Sequence, residues 1–331
     1  LSHELRTPVS VISANAETLM NGAIDNKKDV KTFTKAILHN TERISGLVSD
    51  LIDLSRIDYG EIHLDLNELN VCDVVSIVKD SHYSSAKRKG ININFIEIRN
   101  DIKTNLIAQN EPIKIKNICN DNQINILSIN ALQKFNIWNK EREDELISLC
   151  KYAEKANINS IVLVPLNDGS IKSENENLNL LNHSLTHINS ILKDYNRIGL
   201  VEPLGFNQSS LQNKSIVSNI INDLQTDRLK LVHDTFHHFL ANESDFFPSL
   251  TGLVHFSGVS NLYKGIDLKD GHRSTVDDKD IIENISQIKT LLNSNYKGQF
   301  SFEPFSEELI KTKNIYNIVN KSINFINKKI N

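Results

Sequence analysis

At 331 residues the chain can hold one large domain or two ordinary ones, and 39% hydrophobic and 24% charged residues are the composition of a soluble globular protein. A net charge of −4 excludes a global basic field that would draw it to nucleic acid or to a membrane surface. Cys72, Cys119 and Cys150 are too scattered for a disulfide framework or CxxC metal spacing, no apolar run reaches the roughly 18–20 residues of a membrane helix, and no signal peptide is read, so a reducing, cytoplasmic setting is expected.

The chain starts inside a motif rather than at a methionine, so it reads as a fragment. In its first sixty residues, Leu5, Val9, Ile12, Ala16 and Leu19 recur at helical spacing. After the loop "NGAIDNKKD", a second stripe runs through Phe33, Ile37, Ile44, Val48, Leu51 and Leu54 and ends near Gly60. The reading is an α-helical hairpin over residues 1–60. Two helices cannot bury such stripes alone, whereas a homodimer forming a four-helix bundle would.

The opening "SHELRTP" resembles the phosphoacceptor box of sensor histidine kinases. The resemblance implies that His3 is phosphorylated, that Glu4 is the base beside it, that Thr7 positions water for dephosphorylation, and that a response regulator is the partner. The chemistry suits the residues. A neutral imidazole is a nucleophile near pH 7, and a neighbouring carboxylate can take its proton. Pro8 removes one helical hydrogen bond and bends the helix. The ATP-binding domain of such kinases carries an Asn-rich helix of the type NLLxNAxKY and Gly-rich boxes such as DxGxG. Residues 61–90 read as linker and junction, and Asn70 to Ile93 looks like the lead-in to that domain, but beyond it only "LNDGS" (166–170) contains a related glycine, without the second Gly or the helix. No autokinase activity is expected from this chain alone.

From residue 91 the pattern changes. Short runs rich in Ile, Val and Leu, at 95–101, 124–130, 160–168, 197–205, 229–238, 250–258 and 299–306, alternate with amphipathic stretches such as 141–158 and 280–294. Strands apolar on both faces, separated by helices, mean a parallel sheet covered by helices. Nearly every run stops on a polar residue, the habit of a TIM (β/α) barrel whose site gathers at the C-terminal strand ends. A doubly wound open sheet is the rival, but no GxGxxG is present. In a barrel the strand-end residues Glu202, His233, Asp234, His237, His255, Asp270, His272 and Glu303 converge. Such an oxygen/nitrogen donor set suits one divalent ion: Mn²⁺, Co²⁺, Zn²⁺ or Mg²⁺.

The strings "IEIRND", "LSINALQKFNIW", "VPLNDG", "GLVEPLGF", "LVHDTFHHFLA", "GLVHFSGV", "DGHR" and "SFEPFS" make this region similar to the xylose isomerase-like TIM barrels, especially keto-inositol and hydroxypyruvate isomerase-like proteins. The resemblance implies Glu202, Asp234, His255 and Glu303 as metal ligands, His237 facing the substrate, and His272, Arg273 and Asp270 binding it. Asn130, Trp138 and Asn167 are further candidates for the pocket wall. It implies an isomerase or epimerase acting on a small polyol or keto-sugar. The ion would polarise a carbonyl and stabilise the enediolate formed on deprotonation, with Glu202 and Glu303 as proton-transfer groups.

Two alternatives stay open. One is a two-component signalling fragment working through His3 with an inactive barrel. The other is an apurinic-site endonuclease-like hydrolase, whose three-metal cluster resembles Glu202, Asp234, His237, His255, Asp270, His272 and Glu303. The second wants a positive groove, and 37 basic residues stand against 41 acidic ones. The runs number seven rather than eight, so the barrel reads as lacking its first strand, with the seam between about Asp80 and Ile93. "EIHLDL" (61–66) is the imperfect candidate to fill the gap, and lowered stability is expected from two exposed strand edges.

Overall fold

The computed structural model describes residues 2–22, 26, 29–30, 32–38, 40–41, 95–100, 106–170, 173–312 and 315–330. The chain divides into two units, Leu1–Leu69 and Asn70–Asn331. In the first, helix α1 (Ser2–Met20) carries Pro8 within it and holds His3, Glu4 and Thr7, whose side chains lie outside the described set. Residues 32–38 are also helical, as the apolar stripe predicts. Ile12, Ala16 and Leu19 of α1 are half-buried, whereas Val9 and Met20 are exposed. The remainder of the second stripe, the junction and the 61–66 segment lie outside the described residues.

Among its described residues the second unit contains seven strands: β1 (Phe95–Arg99), β2 (Asn125–Gln133), β3 (Ser160–Val164), β4 (Ile198–Val201), β5 (Leu229–Asp234), β6 (Thr251–Phe256) and β7 (Gln299–Phe302). They form one sheet in sequential order, and every neighbouring pair is parallel. All seven apolar runs become strands, in a nearly closed TIM-like barrel. Between them lie α2 (Leu106–Gln109), α3 (Pro112–Asp121), α4 (Lys140–Ala156), α5 (Glu174–Asp194), α6 (Lys214–Leu224), α7 (Thr235–Leu240) and α8 (Asn284–Asn293). After β7 come α9 (Glu307–Lys311) and α10 (Ile315–Ile330).

Side chains alternate across each strand, so neighbouring residues serve two cores. In β3, Ile161 and Leu163 pack with Leu146, Cys150, Leu181, Leu185 and Ile188 of the covering helices. Val162 between them joins Ala131, Leu200, Val232 and Leu253 in a separate cluster inside the barrel. Local chemistry fixes the boundaries. Asn139 caps α4 by accepting from the Arg142 amide at 3.0 Å, and Asn157 ends it in the left-handed conformation at φ 59°.

Candidate metal centre

Four strand ends build the centre. Glu202 directly follows β4, and its amide donates to the Leu163 carbonyl at 3.0 Å. Glu303 follows β7, and its amide donates to the Phe256 carbonyl at 2.9 Å. These bonds extend the ladder one residue past each strand and fix where the carboxylates emerge. Asp234 closes β5 and caps α7. Its Oδ1 accepts from the amides of Phe236 at 2.7 Å and His237 at 3.2 Å. One carboxylate oxygen is thus held by the helix N-terminus, and Oδ2 faces the centre. The sheet register pairs Asp234 with His255 of β6 and His255 with Ser301 of β7.

One donor atom from each of Glu202, Asp234, His255 and Glu303 lies within 4.8 Å of those of the other three. The sequence had implied this same quartet. Three carboxylates so close together, two of them buried and Glu303 half-buried, need positive charge, and here the protein supplies it. The Nδ1 of His255 lies 2.7 Å from Glu202 and 3.2 Å from Glu303. The Nη2 of Arg273, only 1% exposed, donates to Asp234 at 2.7 Å and to Glu303 at 3.0 Å. Its Nε donates to Ser257 at 2.9 Å. Arg99 reaches Glu303 at 2.6 Å. A divalent ion fits this place: the donors are three oxygens and one nitrogen, converge on one point, and already attract cationic groups.

The environment drives the two glutamates apart. Burial raises the Glu202 carboxyl to about 7, with Glu303 and Asp234 adding to the rise and His255 opposing it. Burial also disfavours ionisation of Glu303, but His255, Arg273 and Arg99 outweigh it and hold that carboxyl well below the usual range. Burial likewise works against a charged His255, yet Glu303, Glu97 and Glu202 together raise it well above its ordinary value. Burial lowers His237, which stays neutral.

The other candidates are placed as follows. His237 is 4% exposed, its ring packs edge-on to Phe206 at 5.0 Å, and its Nδ1 has no hydrogen-bond partner. Asn130 donates to Glu303 at 3.3 Å. Asp270 approaches Arg273 at 3.4 Å. Asn167 lines a cleft of about 340 Å³ with Phe206, Gln208 and Asp270, and its Oδ1 has no partner. Two candidates stand apart from the quartet. His272 stacks on Tyr263 at 4.2 Å, and its Nδ1 accepts from the Lys269 amide. Trp138 sits 6.0 Å from the ring of His187 on α5.

His233, grouped with the strand ends by sequence, belongs elsewhere. Its Nε2 meets Gln287 at 3.0 Å, and its Nδ1 lies 3.4 Å from the buried Lys214 ammonium. Lys214 is also 2.7 Å from His238 and 2.9 Å from Glu243. Sequence reasoning missed Glu97 and Arg99, both in "FIEIR". A charged side chain at mid-strand, where both faces should be apolar, was the available signal.

Comparison with known proteins agrees with this geometry. Residues 86–329 match the xylose isomerase-like TIM barrel family. The chain belongs to that family. Residues 1–60 match the His Kinase A (phospho-acceptor) domain, so a phosphoacceptor segment is joined here to a xylose isomerase-like barrel. A xylose isomerase domain containing protein from Salmonella typhimurium LT2 is 29% identical, with a TM-score of 0.66 over 75% of this chain and 92% of that one. The IOLI protein, solved with a zinc atom, shares the fold at 17% identity and a TM-score of 0.64, over 76% of this chain and 92% of its own. On the kinase side, the sensor-like histidine kinase SenX3 of Mycobacterium bovis is 32% identical over 106 residues, 32% of this chain and 24% of that protein. The first curated relatives are matched over only 6–24% of their own length. No described helix is long and apolar enough to cross a membrane.

Proposed function

We propose that the barrel is a metal-dependent isomerase or epimerase of small keto-sugars or keto-polyols, inositol-derived ketones included. The observation that carries this reading is the convergence of Glu202, Asp234, His255 and Glu303. These four would hold one ion of Mn²⁺, Co²⁺, Zn²⁺ or Mg²⁺. When bound, the ion polarises the carbonyl of an α-hydroxy ketone or aldehyde and stabilises charge developing on its oxygens.

The chain's residues do the rest. Glu202 and Glu303 flank the place where substrate oxygens would sit and move a proton between adjacent carbons. Their separated proton affinities suit one to donate and the other to accept. His237, neutral and with a free Nδ1, bonds a substrate hydroxyl. Arg273 holds Asp234 and Glu303 in place while Asp270, Asn130 and Asn167 shape the pocket; His272 and Trp138 would reach substrate from outside the quartet. The endonuclease-like reading is weaker, because Asp270 and His272 do not join the quartet's donor atoms among the described residues.

A second reading concerns the first unit. The match of residues 1–60 supports His3 as phosphoacceptor, with Glu4 and Thr7 assisting, a response regulator as partner and the hairpin as a homodimer contact. The test has two arms. Keto-inositol and ketose isomerisation are assayed with and without EDTA, then after adding back each ion, and transfer from a phosphorylated regulator to His3 is assayed separately. Chelator-sensitive turnover restored by an ion supports the barrel reading. Silence with every ion, together with phosphotransfer, supports the signalling fragment instead.

A further inference from the structure

We infer that Glu97, in the middle of β1, is a positioning residue that sets the tautomer and aim of the metal-binding imidazole of His255. The inference rests on the metal reading above and deepens it.

A neutral imidazole binds a metal through one nitrogen, and the other then carries the proton. In this centre Nδ1 faces the carboxylates of Glu202 and Glu303. The far nitrogen, Nε2, lies 3.0 Å from Oε1 and 3.2 Å from Oε2 of Glu97. His255 is fully buried, so no water competes for Nε2. A carboxylate accepts and cannot donate, so Glu97 keeps a proton on Nε2, and where an ion takes the place of the Nδ1 proton it is the Nδ1 lone pair that faces the quartet. A backbone carbonyl could hold the proton there too, but a carboxylate also makes the ring more basic and a stronger ligand.

Glu97 is itself fixed. The Ser128 hydroxyl donates to its Oε2 at 2.5 Å, and Ser301 also bonds its carboxylate. The sheet register sets the two sides of this arrangement: Glu97 pairs with Ser128 on β2, and Ser301 pairs with His255 on β6. Four strands thus contribute one polar layer beneath the ligand quartet, inside an otherwise apolar barrel lined by Val162, Leu200 and Leu253.

The test compares Glu97→Gln and Glu97→Leu in the full chain. Gln keeps an acceptor of the same shape; Leu removes it and keeps the bulk. Two readouts are taken: Zn²⁺ and Co²⁺ affinity by calorimetry with the Co²⁺ absorption spectrum, and the ¹⁵N shifts of the His255 ring in metal-free protein taken to alkaline pH, where the ring has lost its second proton and its tautomer can be read. The expected result is an affinity about ten- to a hundredfold weaker for Leu, a smaller loss for Gln, and loss of the Nε2–H signature in Leu alone. Wild-type affinity in Glu97→Leu, or an unchanged ring tautomer, overturns the assignment of Glu97. Absence of Zn²⁺ and Co²⁺ binding in the unaltered chain overturns the metal reading, and the inference with it, whereas the nitrogen shifts still report whether Glu97 orders the ring. If Leu fails to fold, the Gln variant decides: affinity equal to wild type, with Nε2 no longer protonated, contradicts the inference.

Discussion

Arg99 of β1 and Glu303 after β7 are 204 residues apart and meet in an ion pair of 2.6 Å. Their strands are the first and last of the sheet, and among the described residues β1 and β7 are not paired with each other. The side-chain contact therefore spans the two edges where backbone bonds do not. Phe305 adds to it, lying under the guanidinium groups of both Arg99, at 5.0 Å, and Arg273, at 4.8 Å. Replacing Arg99 by Met is expected to cost about 1–2 kcal/mol, the loss of one charged hydrogen bond in a partly exposed place. It should also strengthen metal binding, since a competing cation on Glu303 is gone. Urea melts and metal titration of the variant check both signs.

Arg273 carries a larger load. It is 1% exposed and bonds two carboxylates of the quartet. Arg273→Met leaves those carboxylates buried without their partner, at an expected cost of about 3–5 kcal/mol in metal-free protein. A divalent ion supplies the missing charge, so saturating Mn²⁺ should raise the melting temperature of the variant by more than that of the wild type. Lys is not expected to rescue, because it cannot reproduce the planar set of donors.

Asp234 has two separable duties, and two substitutions divide them. Asn can still cap α7 through its side-chain oxygen, but it lowers the charge of the quartet. Ala removes both. Asp234→Asn should lose metal affinity and stability, because its Nδ2 donor replaces the Oδ2 that accepts from buried Arg273, whereas Asp234→Ala gives up the cap as well, worth about 1 kcal/mol. Paired denaturant and metal titrations read the difference.

Stability of the metal-free protein should pass through a maximum near pH 6.5. His233, His237 and His238 are lowered by burial and stay neutral when folded. Their contribution is full above the ordinary value of 6.5 and is lost as pH falls below it. Glu202, raised to about 7, works the other way, losing stability as pH rises from 4.5 through 7, but three histidines outweigh one carboxyl below 6.5. Above 6.5 His255 decides: raised when folded, it contributes fully below 6.5 and less as pH climbs toward its folded value. A bound ion removes the need for the Nδ1 proton, so the alkaline decline should flatten on metal loading. Chemical melts from pH 5 to 9, with and without Zn²⁺, test the shape.

Gly205 is held by sterics. A Cβ there would fall on the carbonyl oxygen of His237 and against Leu240. Gly205→Ala should push α7 outward, moving Asp234 and His237 together. The expected result is weaker metal binding accompanied by lower thermal stability.

Much of this was legible in the sequence. The seven strands stood out because parallel strands buried on both faces must be continuously apolar. The four converging residues were among eight polar strand-end residues that stood out by position, and the resemblance to the barrel family singled out the four. What escaped needed the folded sheet. Glu97 lies two residues before its strand's end, and only the curvature that brings β1 round toward β6 and β7 sets its carboxylate against His255. His233 was misleading because it sits beside Asp234, yet adjacent strand residues point to opposite faces, so one of the two had to leave the barrel interior. His272 and Trp138 depended on loop paths that no periodicity encodes.

The cluster outside β5 bears on how the protein responds to a chelator. His233, His238 and Glu243 close around the Lys214 ammonium much as metal donors close around an ion. That cation is part of the polypeptide and cannot be extracted. It fastens the start of α6 to β5 and to α7, the helix whose first turn grips Asp234. Dialysis against EDTA is therefore expected to leave this internal cation in place behind the quartet, and reloading the quartet with Zn²⁺ should require no refolding.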